Sequence, residues 1–80
     1  MNPRIVNVKA ENDYDLRLEF DNGEIRRFNM VPYLETGLFK ELKELSVFKS
    51  VRPFLVSIQW NNGLDLCPDT LYQESMPEPL

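Results

Sequence analysis

Cys67 is the one ready nucleophile in these eighty residues, and it stands between two carboxylates, Asp65 and Asp69. A thiolate is activated by a neighbouring base or a local positive field. The chain has no histidine, and its two flanking aspartates supply negative charge where activation needs positive. Cys67 therefore reads as an inert, buried structural cysteine. Asp65 and Asp69, together with Asp21, Glu24 or Glu74, are enough carboxylates for a metal or an acid–base pair. Their spacing lacks the alternating ligand pattern of a calcium loop, and a hydrolytic pair needs an enclosed cleft and a fixed separation. Asp65 reads instead as a partner for turn backbone near Asn62-Gly63, and Asp69 as the acid that suits a helix's first turn. No catalytic, cofactor-binding or metal-ligating residue is assigned, and no enzyme is expected.

The elements that must carry these residues are few. A 9.4 kDa chain is one domain, and at this size it buries only about 60–65 % of its unfolded surface. Little volume remains for a deep pocket. Nine basic residues against thirteen acidic ones make a net charge of −4, a poor match to nucleic acid, whose phosphates call for clustered Lys and Arg. The charge is uneven. Residues 1–52 hold nine of each sign, whereas residues 53–80 hold only Asp65, Asp69, Glu74 and Glu78. That end is either a solvated surface or an acidic docking surface for a basic partner. A lone cysteine, no apolar run of the ~20 residues that span a bilayer, and an N-terminus without a signal-peptide core point to a cytoplasmic protein with no membrane association.

Period-2 patterning predicts a strand from Arg4 to Glu11 with Val6, Val8 and Ala10 on one face, and a second through Tyr14, Leu16, Leu18 and Phe20. The Asp21-Asn22-Gly23 loop decides the register of the third strand, Glu24 to Met30. A two-residue turn would set Leu18 opposite Arg27. A three-residue loop with Gly23 left-handed sets Phe20 opposite Glu24, Leu16 opposite Phe28 and Tyr14 opposite Met30, burying phenylalanine instead of arginine. From Pro32 to Val51 the period lengthens, predicting short helices, with Ser46 capping the last. Phe54, Val56, Ile58 and Trp60 then alternate as a strand. Asn61-Asn62-Gly63 repeats the earlier loop, pairing Trp60 with Leu64 and Ile58 with Leu66. Trp60 is either an interface anchor or, the preferred reading, the closing residue of the core. Pro68 to Tyr72 reads as a helical turn dropping Leu71 and Tyr72 onto the sheet. The expected fold is α+β, with a small antiparallel-rich sheet in the order β-β-β-α-β-β-α and short helices packed on one face. Residues 1–74 form the domain and residues 75–80 a flexible tail.

Three features in order carry a family resemblance: Phe20-Asp21-Asn22-Gly23-Glu24 with Phe28; Leu38-Phe39 to Leu42 with Phe48 and Val51-Arg52; and Trp60-Asn61-Asn62-Gly63-Leu64-Asp65 followed by Pro68-Asp69-Thr70-Leu71-Tyr72. From Arg4 to Tyr72 the chain resembles the DUF2442 family of small, mostly bacterial proteins of unknown function. The resemblance implies a compact α+β domain and no established activity. Some relatives join this domain to a helix-turn-helix, which these eighty residues do not contain, so direct gene regulation is not expected. Others are encoded beside a small DUF4160-type protein, as the antitoxin-like half of a pair.

The resulting expectation is a non-catalytic protein-interaction module, an antitoxin-like partner of a small basic DUF4160-like protein, with no cofactor. Asp65, Asp69, Tyr72 and Glu74 are the candidate partner contacts. The alternative is a small-molecule-sensing or regulatory domain without its own DNA-binding module. Homodimerisation through a strand edge is compatible with both.

Overall fold

Three tight loops set the strand registers, and all three close in the same way. In the computed structural model, which describes residues 2–78, Asp21–Gly23 joins β2 (Asp15–Phe20) to β3 (Ile25–Asn29). Phe20 N–H donates to Glu24 O at 2.9 Å, Gly23 N–H donates to Phe20 O at 3.0 Å, and Gly23 sits at φ +89°. This is the three-residue loop read from the sequence, and Leu16 faces Phe28 as expected. Asn61–Gly63 repeats it between β5 (Ser57–Gln59) and β6 (Asp65–Leu66), with Ile58 opposite Leu66. The loop joining β1 (Ile5–Ala10) to β2 has the same form, with Glu11 N–H donating to Asp15 O at 2.9 Å. Here Tyr14, at φ +67°, occupies the position glycine takes in the other two. The backbone cost, about 1–2 kcal/mol for a residue with a Cβ, is offset by the side chain. The Tyr14 ring packs 5.1 Å from that of Phe48, and its hydroxyl donates to Lys43 O.

β1 departs from simple alternation. Ile5 pairs with Phe20 but Asn7 pairs with Glu19, a bulge at Val6. The extra residue turns Ile5 inward, 3 % exposed, and leaves Val6 half exposed. Val6 was expected on the inner face and is not there.

Gly37 prevents one long helix between Pro32 and Val51. The segment folds as two 3-10 turns, Val31–Tyr33 and Gly37–Lys43, and the short α1 (Leu45–Phe48). Glu44, not Ser46, is the N-cap of α1; Ser46 lies inside the helix. Leu34, Leu42 and Phe48 are buried, and Leu38 faces solvent.

The run from Phe54 to Trp60 is not one strand. β4 (Arg52–Phe54) turns at Leu55-Val56 and pairs back with β5, setting Phe54 opposite Ser57. Pro53 suits such an edge strand, since it lacks an N–H to donate. The chain thus builds two antiparallel sheets, β1-β2-β3-β7 and β4-β5-β6, joined where Ile5 N–H donates to Val56 O at 3.3 Å. Both contribute to one core. Trp60 closes it at 1 % exposure, its indole N–H donating to Phe48 O at 3.0 Å.

α2 (Pro68–Glu74) starts at a proline, as expected, and buries Leu71 completely. The expected tail differs over residues 75–78. Ser75 is buried, and β7 (Met76–Pro77) pairs with Arg27 and Arg26 of β3; Pro79 and Leu80 lie outside the described residues. The β2–β3 register explains why this segment docks. It places Arg26 beside Leu18 on the inner face and Arg17 directly opposite Arg27 on the other. Both arrangements need partners. Ser75 supplies them to Arg26 through its hydroxyl and its carbonyl, each at 2.7 Å.

Candidate functional site

Of the four candidate partner contacts, the structure ties Tyr72 and Glu74 to other elements through tyrosine hydroxyls, leaves Asp65 exposed, and gives Asp69 one exposed bond from Asn2. Tyr72 is a strut. Its hydroxyl donates to Glu24 Oε2 at 2.6 Å, the Arg26 guanidinium lies 4.7 Å over its ring, and Phe20 meets the ring edge-on at 5.2 Å. The Tyr72 hydroxyl, with the Asn22 amide and Arg26, holds the Glu24 carboxyl below its ordinary range, and the same bond pushes the Tyr72 hydroxyl up. Glu74 accepts from the Tyr33 hydroxyl at 2.8 Å, which raises the Tyr33 pKa. Glu78 is engaged as well: it accepts from Arg17 at 3.0 Å and from Arg27 at 3.5 Å. The acidic surplus of the last third is therefore smaller at the surface than in the sequence.

Asp65 and Asp69 are exposed. Asp69 stands in the first turn of α2 and accepts from Asn2 at 3.0 Å. Asp65 does not bond the nearby turn backbone; that role falls to Asn62, whose Oδ1 accepts from Leu64 N–H at 3.1 Å. Asp65 instead joins Phe54–Ile58 and Leu66–Pro68 in lining an open cavity of about 330 Å³. Asp69 lines a smaller hollow of about 130 Å³ with Asn2–Arg4, Val56 and Pro68. Val56 and Pro68 belong to both, so the two carboxylates lie on either side of one apolar ridge.

That ridge ends in the β4–β5 turn, which pattern reading missed because Leu55-Val56 contains none of the usual turn residues. Leu55 is 86 % exposed, with Phe54 and Val56 at 38 % and 40 %. Leu55 also takes φ +56°. A residue with a Cβ in the left-handed region carries a backbone cost, and a side chain this exposed gains nothing from burial to offset it. The available signal was Pro53, which argues against a central strand at that point.

Cys67 is exposed, not buried, at the N-cap of α2; the short β6 ends at Leu66, before the chain can cover it. Among the described residues, no group of three or more His, Cys, Asp or Glu is placed to hold a metal ion, and no helix is long and apolar enough to cross a membrane.

A small α+β domain with an exposed apolar hairpin flanked by carboxylates is what the geometry defines. The family model for DUF2442, a protein of unknown function, matches residues 5–77, and the chain belongs to that family. No curated protein and no solved structure matches it.

Proposed function

We propose that this protein is a non-catalytic cytoplasmic interaction module that holds another protein through the Phe54–Val56 turn. The observation that carries this reading is Leu55, a strained residue 86 % exposed at the tip of an apolar hairpin. The two-residue turn between Phe54 and Ser57 accounts for the positive φ, but it does not call for an apolar side chain in solvent at the tip, and that exposure suits a contact surface. The partner class is a small basic protein, antitoxin fashion: Asp65 and Asp69 flank the tip, and no basic residue follows Arg52 in the sequence.

Affinity capture from the source cells tests this. A small basic protein is retained by the wild-type chain and lost with Leu55→Asp and with the pair Asp65→Asn, Asp69→Asn. Retention of nothing, or retention indifferent to these changes, overturns the reading.

A further inference from the structure

The outer face of the β4-β5-β6 sheet has a charge pattern that is complementary to itself. The pairings Arg52–Gln59 and Gln59–Asp65 place a cation, an amide and an anion in one row across the three strands. The Arg52 guanidinium already reaches the Gln59 carbonyl at 3.1 Å along that row. The next row begins with Phe54 opposite Ser57, and continuing the β5–β6 register brings Cys67 beyond Ser57. Arg52, Phe54, Asp65 and Cys67, on or just beyond the two flanking strands, are exposed, whereas on the central strand Gln59 is half-buried and Ser57 is buried, its hydroxyl donating to Leu66 O at 2.6 Å.

We propose that a second copy of this chain packs on this face, related to the first by a two-fold axis parallel to β5. Such an axis lays β4 of each copy over β6 of the other, about 10 Å away as in stacked sheets. Arg52 of one copy then meets Asp65 of the other, twice, while Gln59 faces Gln59 across the axis. Phe54 covers Cys67 of the other copy. The two hairpin tips lie side by side at one end, so each Leu55 enters the roughly 330 Å³ cavity of the other. A two-fold perpendicular to the strands would stack like strand on like strand and forfeit the charge match. The face also carries one charge of each sign, which suits a copy of itself better than a uniformly basic surface. It is far smaller than the ~20–30 residues a side of a standard interface, so the dimer is weak and exchanges readily.

The proposal rests on the reading of the tip as a contact surface; a second copy and a basic partner are alternatives for it. Arg52 separates the two. Sedimentation equilibrium from about 10 μM to 1 mM, with folding checked by circular dichroism, should show concentration-dependent dimer. Arg52→Glu and Asp65→Arg each weaken it about tenfold or more, since like charges then meet at two places. An equimolar mixture of the two variants restores it, because both cross-pairs are again opposite in sign. Alkylation of Cys67 slows as dimer forms. Arg52→Glu keeps its capture of a basic partner, whereas Leu55→Gly weakens both associations. A wild-type chain that stays monomeric to about 1 mM overturns the dimer without touching the proposed function. So does a dimer that tolerates either charge reversal, or single variants that fail to associate when mixed.

Discussion

Arg17 and Arg27 stand directly opposite each other on β2 and β3, and Glu78 binds both. Like charges facing across a sheet repel, so this pair creates a site for an anion from elsewhere. The C-terminal strand brings one, while Asp15 takes Arg27 from its other side at 3.3 Å.

Glu78→Gln should loosen the last strand before anything else. Amide exchange at Glu78, whose N–H donates to Ile25 O at 3.0 Å, should accelerate while exchange in β2 is unchanged. Added salt should produce part of the same effect in the wild type by screening. Unchanged exchange at that amide would show that β7 is held by its backbone pairing alone.

Acid should release the same end of the molecule. Glu78, held mainly by its bond from Arg17, and Glu24, held mainly by its bond from Tyr72, both have carboxyls below the ordinary range. A carboxylate whose folded pKa is depressed contributes stability above its unfolded value of about 4.3. That contribution is lost as pH falls through the lower folded value. Thermal midpoints should therefore hold between pH 5 and 8 and fall below about pH 4. Tyr72→Phe should lower the midpoint at neutral pH and narrow its gap to wild type in acid. A gap constant with pH would assign the loss to packing instead.

Trp60→Phe removes the indole donor from the buried Phe48 carbonyl and leaves space beside it. Urea denaturation should register a loss of about 2–4 kcal/mol, part cavity and part unsatisfied carbonyl. A loss below about 1 kcal/mol would mean that the core closes over the gap.

Leu55→Gly should behave in the opposite sense. Relief of the positive φ outweighs the added freedom of the unfolded chain, so stability should hold or rise by up to about 1 kcal/mol. The side chain is 86 % exposed, so little packing is lost. A clear destabilisation in the same denaturation experiment would show that Leu55 serves the fold.

Two loops were legible because their chemistry is local. Gly23 and Gly63 supply the left-handed position, and the choice between burying Phe28 and burying Arg27 leaves one register. The buried tryptophan and the Pro68 helix start were equally plain. The Leu55-Val56 turn was not: alternation continues straight through it, and nothing local marks the reversal. Nor was the fate of the candidate contacts. Tyr72 packs on the sheet against Phe20, as its place beside Leu71 predicts, but its bond to Glu24 and the bond between Tyr33 and Glu74 join residues 48 and 41 positions apart, which no linear pattern shows.

The two loops closed by Gly23 and Gly63, and the registers and inner faces they set, follow from neighbours in the chain, because φ/ψ preference and side-chain period act over a few residues. That much is written in the order of the amino acids. Which charges remain free was decided only by the assembled fold. Burying Leu16 beside Phe28 forces Arg17 against Arg27 and turns Arg26 inward, and the energy of that arrangement is met by Glu78 and Ser75 from the far end of the chain. The same packing leaves Asp65 and Leu55 exposed at the β4-β5-β6 sheet and Asp69 with a single exposed bond from Asn2, since no charged group among the described residues reaches them.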